Sequence, residues 1–260
     1  MPFTFSHPAV VVPLAKKRFN LSALVIGSMM PDFDNLLPKL PFIFESHSLH
    51  GLFTFCVPVG FIIWIILQKV VKKPVVSFFP TGHQLRLANL LGDIKVTSLG
   101  DLFWVLFSIW FGSLTHVVLD SFTHNYGIFV HIIPFLRMEL FTVGTRTVRM
   151  YYIFQYGLAA LGIFLLVFWY WRWYKRTPKL ELVPHPYMTG PFRWLILAVI
   201  FIITVAGGLV VAIHETHFPF SLNFIYLFLR SFFVGSMGFL LVQIVLFCIV
   251  WWGWQKTNQL

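Results

Sequence analysis

Five long apolar runs separated by polar linkers dominate the pattern of hydrophobic and polar positions along this chain. Each run is about 20 residues long, which is the length of an α-helix that crosses the hydrocarbon core of a bilayer. The pattern therefore predicts an all-α fold, a polytopic integral membrane helical bundle of about five transmembrane helices, with a kink at Pro58. The runs cover roughly residues 52–71, 102–122, 152–173, 194–213 and 224–252.

The segment before the first run is too interrupted to cross a membrane, because prolines and the triplet Lys16-Lys17-Arg18 divide it. We expect two short interfacial helices there, over roughly residues 8–17 and 22–30, with Ser6 as the cap of the first. The length of the chain fits a single membrane domain. Its parts are an N-terminal motif segment at 1–51, the first two spans at 52–122 and three further spans at 123–260.

Composition supports the membrane assignment and limits the partners. The 260 residues are 58% hydrophobic and only 11% charged, whereas a soluble globular chain is about 25% charged. The formal net charge of +10 suits anionic lipid, and the absence of any nucleic-acid motif argues against nucleic acid. Membrane lipid is therefore the expected partner, and protein partners stay open. Cys56 and Cys248 lie inside apolar runs and predict neither a disulfide nor a metal site.

The distribution of basic residues bears on orientation. The linkers after the first and third runs are rich in Lys and Arg, whereas the stretch between Ile213 and Tyr226 has none. This bias favours a cytoplasmic C-terminus and a non-cytoplasmic N-terminus, although Lys16-Lys17-Arg18 opposes it. With five spans, the N-terminal segment, the end of the second run and the linker after the fourth all face the same side.

The strongest chemical signal is the stripe His116, Asp120 and His124 at the end of the second run. Residues four apart share one face of a helix, and imidazole with carboxylate is a typical donor set for zinc and similar ions. The structural alternative is a pair of polar residues that reach the membrane interface. Ionisable residues inside a membrane span are usually functional, which favours a metal or catalytic role for His116 and Asp120.

Further candidate ligands lie in the N-terminal segment. Asp32 and Asp34 have a spacing of two, which lets both carboxylates point into one site from an extended turn. His47 and His50 precede the first span and share a face if that stretch is helical. His7 stands alone at a helix start. For each the alternative is structural: an Asp-rich turn, a polar helix cap or a hydrogen-bonding histidine.

Other polar motifs are weaker. His214-Glu215-Thr216-His217 lacks the i, i+4 histidine pair of zinc proteases, and whether it joins the site stays open. His83, His131 and His185 have no acidic neighbours. No nucleophile motif or phosphate-binding loop is present. We expect Gly207-Gly208, inside the fourth span, to serve helix packing.

Several of these motifs together resemble a known family. Residues 1–9, Gly27–Asp34 and His47–Gly51 resemble an uncharacterised bacterial membrane family, domain-of-unknown-function family 4184. More distantly, Ser6-His7, Pro31–Asp34, Ser46–Ser48 and His116–Thr123 are similar to motifs of the LexA-regulated membrane-bound metal-dependent hydrolases. That motif also has an Arg after a further histidine, which this chain lacks. The resemblance implies that His7, Asp32, Asp34, His47, His116 and Asp120 converge, in a protein of the bacterial inner membrane.

The hypothesis is therefore a membrane-bound metal-dependent hydrolase of a phosphoester or other ester, with a lipid-linked substrate as one option. The cofactor would be one or two divalent ions, zinc first, with manganese and magnesium as alternatives. Asp34 or Asp120 would act as base or bridging ligand. The rival hypotheses are a transporter or ion-binding protein, and a structural membrane protein in which the candidate residues do not converge. The predicted metal ligands are His7, Asp32, Asp34, His47, His50, His116, Asp120 and His124.

Overall fold

A computed structural model describes most of the chain. The described residues are 4–15, 18–36, 45–92, 96–143, 146–179, 188, 190–216 and 222–257. Within these ranges the α-helices of the N-terminal segment are Pro8–Val11 and Leu21–Gly27, flanked by 3₁₀ turns at Thr4–Ser6, Val12–Leu14 and Met30–Leu36. The remaining short elements are an α-helix at Thr81–Leu87, 3₁₀ turns at Ala88–Leu90 and Pro134–Arg137, and an α-helix at Ile128–Ile132.

Five stretches are long and apolar enough to cross a membrane, which confirms the predicted all-α, polytopic membrane fold. They are Leu49–Ser77, Leu99–Ile132, Met150–Arg176, Gly190–Glu215 and Phe224–Thr257. The second stretch is broken: its α-helix covers Leu99–Thr123, and the chain turns at His124 before the short helix Ile128–Ile132. The last helix begins slightly earlier than its span, at Leu222.

Helix packing divides the chain into two compact units. The first comprises residues 1–65 and 95–176, and the second comprises residues 66–94 and 177–260. Every candidate metal ligand falls in the first unit. The expectation of one single membrane domain stays a prediction.

In the first unit, the short helix Leu21–Gly27 crosses the spanning helix Leu99–Thr123 at very close range. A Cβ atom at Gly27 would lie 2.1 Å from the Ile109 carbonyl oxygen, and one at Gly112 would lie 2.4 Å from the Leu24 carbonyl oxygen. The Ser113 hydroxyl also donates a hydrogen bond of 2.9 Å to the Gly27 carbonyl. Small residues thus let two backbones approach, as in many membrane helix pairs.

The second unit is built on two long helices, Gly190–Glu215 and Leu222–Thr257, which pack closely against each other. Gly207 faces the Phe239 ring and Gly208 faces Ser236, so the predicted packing role of this glycine pair is confirmed. The Gln243 amide donates to Thr204 Oγ1 at 3.0 Å across the same pair. A buried Arg193 donates to the Phe79 carbonyl at 3.2 Å and ties the short 66–94 region to this helix pair.

Several local expectations were wrong. The first N-terminal α-helix ends at Val11, and His7, with no side-chain capping bond, takes the cap position expected for Ser6. The Asp32 region is a 3₁₀ turn, Met30–Leu36, not an extended turn. In the first span, π-helical turns at Leu52–Cys56 and Leu67–Val71 interrupt the α-helix. In such a turn the backbone hydrogen bonds join residues five apart instead of four.

The linker after the second span contains two short strands that the apolar pattern did not predict. Glu139–Val143 and Arg146–Arg149 pair as an antiparallel hairpin. The Glu139 carboxylate and the Arg149 guanidinium form an ion pair at 2.9 Å across it. Short strands of Thr and Val on either side of a glycine are a recognisable hairpin signal.

Candidate metal centre

The spanning helix Leu99–Thr123 carries two of the central side chains, His116 and Asp120. A capping box fixes its start, in which Ser98 Oγ accepts from the Asp101 N–H at 3.1 Å and Asp101 Oδ2 accepts from the Ser98 N–H at 3.0 Å. The close crossing at Gly112 then brings the Ser28 carbonyl oxygen to 2.8 Å from His116 Nδ1. The helix crossing therefore sets the orientation of the His116 ring.

The N-terminal segment carries His7 to the same place. Its turn at Ser6 rests against the third spanning helix at Gly162, where a Cβ would lie 2.8 Å from the Ser6 carbonyl oxygen. The His7 ring stacks on the His116 ring, with centroids 3.8 Å apart and an interplanar angle of 16°. The hypothesis of a structural membrane protein predicted that the candidate residues do not converge. His7 and His116 are nevertheless in direct ring contact, although more than a hundred residues separate them in the sequence.

Asp32 and His47 complete the centre from two irregular segments. Asp32 lies in the 3₁₀ turn Met30–Leu36, directly after the helix that crosses at Gly112. His47 precedes the cap residue Ser48, whose hydroxyl accepts from the Gly51 N–H at 3.0 Å and donates to the Glu45 carbonyl at 2.8 Å. The Ser46 hydroxyl lies 3.1 Å from His47 Nδ1. This contact holds the ring with its other nitrogen toward the centre.

The four groups form a compact donor set. Asp32, His47, His116 and Asp120 each offer one atom, and these atoms all lie within 4.8 Å of one another. His47 Nε2 and His116 Nε2 lie 3.2 and 3.4 Å from Asp32 Oδ1, and 3.7 and 3.4 Å from Asp120 Oδ2. Two ligands bound to one zinc ion at 2.0–2.1 Å in tetrahedral geometry are about 3.3–3.4 Å apart. The four nitrogen–oxygen distances are thus within a few tenths of an ångström of this spacing.

The hydrogen-bonding pattern also calls for a positive species at the centre. A carbonyl only accepts, so the Ser28 carbonyl requires a proton on Nδ1 of His116. Nε2 of the same ring faces Asp32 Oδ1 and Asp120 Oδ2, each at 3.4 Å. A proton on Nε2, which makes His116 an imidazolium, satisfies this arrangement without a metal, and a divalent cation takes the same place when bound. A carbonyl partner for the second nitrogen is typical of metal-binding histidine.

Electrostatics outside the spanning helices support ligand-competent states. Burial lowers the pKa of His7 from 6.5 to about 4, and the neighbouring His116 acts in the same direction. Burial alone would raise the pKa of Asp32, but the close contacts of its carboxylate with His116 and His47 outweigh burial and hold that pKa below its ordinary value. Near neutral pH His7 is therefore an uncharged imidazole and Asp32 a carboxylate, which are the forms that bind metals.

The four donor residues differ in exposure. The His47 side chain is 27% exposed, whereas those of His116, Asp32 and Asp120 are 0–4% exposed. The centre is therefore nearest to solvent on its His47 side.

His124 lies beside the centre, on its Asp120 side. It is the cap residue of the second spanning helix, and its Nδ1 lies 3.5 Å from Asp120 Oδ1 and 3.3 Å from the Asp120 carbonyl oxygen. Its Nε2 lies 2.8 Å from the Gln155 side-chain nitrogen on the third spanning helix. With Gln155 as donor, the proton of His124 is on Nδ1, directed at Asp120. The structure thus places His124 next to the four-residue donor set and not within it.

The other predicted candidates have different positions. The His50 side chain is exposed and lies outside the donor set. The side chain of Asp34 lies outside the described residues, as do His185 and His217. His214 and Glu215 end the fourth spanning helix, in the other unit. His131 is exposed on the helix Ile128–Ile132, and His83, on the helix Thr81–Leu87, belongs to the second unit.

Sequence reasoning missed three supporting groups: the Ser28 carbonyl, the Ser46 hydroxyl and Gln155. The first two carry no usable signal, because a backbone carbonyl and a serine beside a histidine are too common. Gln155 did carry one, since it is a polar side chain in an otherwise apolar span.

The fold and the donor set together define a polytopic helical membrane protein with a candidate metal centre near one end of its spanning helices. The chain belongs to the family described as Domain of unknown function (DUF4184), whose family model matches residues 1–249. No curated protein and no solved structure matches the chain. Family membership thus covers the helices that supply the centre.

Proposed function

We propose that this protein is a membrane-bound metal-dependent hydrolase that cleaves a phosphoester or other ester. The observation that carries the proposal is the convergence of two imidazole nitrogens and two carboxylate oxygens within 4.8 Å, at a centre where the His47 side chain is partly exposed. Asp32, His47, His116 and Asp120 would hold the cation. When bound, a divalent ion supplies Lewis acidity and lowers the pKa of a water for attack on the ester.

The remaining groups have roles that follow from their positions. Asp120 presents Oδ2 to the two ligand histidines and Oδ1 to His7 Nε2 at 3.7 Å and His124 Nδ1 at 3.5 Å. Oδ1 is therefore available to accept a proton, which makes Asp120 our candidate for the general base. His7 stacks on His116, keeps water from one face of that ring and is placed to join as a further ligand. His124 orients Asp120.

One feature supports a substrate held in the membrane. Asp120 lies three residues before the end of its helix, about 4.5 Å along the axis, which favours a centre near the membrane surface. The reaction class is our inference from the resemblance of the sequence motifs to those of the LexA-regulated membrane-bound hydrolases. We extend the proposal to a lipid-linked ester, to the bacterial inner membrane, and to the non-cytoplasmic face indicated by the charge bias of the linkers. Zinc is our first choice of ion, because the donors are mixed nitrogen and oxygen.

Metal content tests the proposal directly. Purified protein in detergent, analysed by mass spectrometry of its metals, should contain at least one equivalent of a divalent transition metal per chain. His116→Ala/Asp120→Ala should contain none, and the isosteric Asp120→Asn should bind less tightly than wild type. Hydrolysis of bis(p-nitrophenyl) phosphate or p-nitrophenyl acetate should fall roughly 100-fold or more in Asp120→Asn, the usual effect of removing a general base.

The matched control is His131→Ala/Glu215→Gln, which removes one exposed imidazole and one exposed carboxylate that are not members of the donor set. It should retain the metal and the hydrolytic rate. Size-exclusion profiles equal to that of wild type establish that the variants are folded. Equal and negligible metal in wild type and in His116→Ala/Asp120→Ala would refute the proposal.

Cation or proton transport is the second candidate, and one observation favours it. The π-helical turn Leu52–Cys56 interrupts the first spanning helix just after His47, and interrupted helices often surround transport sites. A transport site usually lies near the bilayer midplane, however, whereas this centre lies near a helix end. Proteoliposomes decide between the two: cation-dependent flux without ester hydrolysis, lost in Asp120→Asn, would favour the transporter.

A further inference from the structure

The linker between the second and third spanning helices lies at the same end of the helices as the metal centre. The second helix ends at Thr123, and backbone in the extended conformation at His124 turns the chain away from it. The third helix begins at Met150, and the His124–Gln155 contact joins the two helix ends. The described residues 124–143 and 146–149 therefore lie at the end of these two helices that carries the centre.

This linker is a packed structure with a small core of its own. Val130, Leu136 and Tyr151 are buried against one another, with Phe122 and Ile133 packed around them. The Met150 N–H donates to the Met138 carbonyl at 3.0 Å, which ties the end of the linker to the start of the third helix. The side chains on its outer side consequently have fixed positions.

The linker exposes several large apolar side chains. Four of them together define what we call the rim surface: Ile128, Ile132, Phe135 and Phe141, which are 61%, 64%, 51% and 55% exposed. The hairpin also exposes apolar side chains on both faces, since the neighbouring Leu140 is 37% exposed. A two-stranded hairpin is at best marginally stable in water, and clustered exposed apolar side chains mark a membrane or protein contact.

The bilayer itself is the occupant that fits. Both helices that flank the rim surface are long and apolar enough to cross a membrane, so the surface adjoins segments expected to contact lipid. Aromatic side chains favour the headgroup level. The exposed Arg137, in the turn that carries Phe135, fits the negative potential of anionic lipid.

We propose that residues 124–143 and 146–149 form an amphipathic cap whose rim surface inserts into the lipid headgroup layer beside the candidate metal centre. This inference goes beyond the proposed function, because it holds whether or not the centre binds a metal. Its partner is the phospholipid leaflet at that end of the second and third spanning helices.

Site-directed spin labelling tests the cap. Single cysteines at positions 128, 132, 135 and 141 would be introduced with the buried Cys56 and Cys248 replaced by alanine. The labelled full-length protein would be placed in nanodiscs of equal parts phosphatidylcholine and phosphatidylglycerol. At these four positions we expect the ratio of collisions with oxygen to collisions with a water-soluble nickel chelate to be several-fold higher than at the exposed polar Asn125.

A label at Val210, exposed on the fourth spanning helix, provides the lipid reference. Ratios at 135 and 141 equal to that at Asn125 would overturn the proposal, as would dipolar broadening showing that a second copy covers the surface. Metal content is measured on the same samples, so failure of the cap and failure of the metal centre are read out separately.

Discussion

Substituting Gly112 with alanine tests whether the close helix crossing supports the centre. The added Cβ would lie 2.4 Å from the Leu24 carbonyl oxygen, and ordinary contact begins at 3.4 Å, so the two helices must separate by about 1 Å. The hydrogen bonds from Ser113 Oγ to Gly27 (2.9 Å) and from His116 Nδ1 to Ser28 (2.8 Å) would then both exceed hydrogen-bonding range. The variant therefore loses packing and also the group that orients His116.

The expected cost follows from these contacts. Overpacking contributes about 1–3 kcal/mol, and two lost hydrogen bonds contribute about 1 kcal/mol each. Gly157→Ala is the matched control, because a Cβ there meets nothing within 4 Å and both variants gain the same helix propensity. We expect Gly112→Ala to be about 3–5 kcal/mol less stable than Gly157→Ala.

Reversible unfolding of the detergent-solubilised protein in sodium dodecyl sulfate measures this difference in free energy. Competition with a chromogenic chelator measures metal affinity, which should fall about 10- to 100-fold, as for loss of other groups that orient a ligand. Equal unfolding curves for Gly112→Ala and Gly157→Ala would contradict the helix crossing. Loss of stability with unchanged metal affinity would contradict the link between the crossing and His116.

Two further predictions concern groups beside the donor set. The pKa of His7 is about 4 in the fold and 6.5 when the side chain is exposed, so the unfolded chain binds a proton at a higher pH than the folded chain does. The free energy of unfolding of the metal-free protein should therefore fall by up to about 3 kcal/mol as the pH is lowered from 6.5 to 4. Unfolding titrations of His7→Asn should lack this part of the acid sensitivity, and identical pH profiles would refute the assignment. Gln155→Leu removes the 2.8 Å contact with His124 and should weaken metal binding about 10-fold with a loss of about 1 kcal/mol in stability. Wild-type affinity in Gln155→Leu would exclude an orienting role for His124.

The spanning helices and the His116/Asp120 stripe could be predicted from the sequence for physical reasons. A bilayer imposes a minimum length on an apolar helix, and a four-residue spacing fixes two side chains on one helix face whatever surrounds the helix. The 3₁₀ turn around Asp32 and the π-helical turn Leu52–Cys56 could not, because helical periodicity carries no information about a single tightened or widened turn. Their geometry depends on the packing around them.

Convergence of the donor set is a different problem, since no periodicity links His7 or His47 to a helix that begins more than fifty residues later. Only the similarity to known motifs predicted it. The structure shows which other signal was present: glycines at 27, 112 and 162 stand where the N-terminal segment meets the spanning helices. In a membrane, apolar side chains give little preference for one helix neighbour over another, so close backbone approach at small residues carries much of the specificity. Sequence reasoning applied this argument to Gly207-Gly208 alone. Applied to the first half of the chain, it would have joined the Asp32 segment to the helix of His116 and Asp120 without reference to any family.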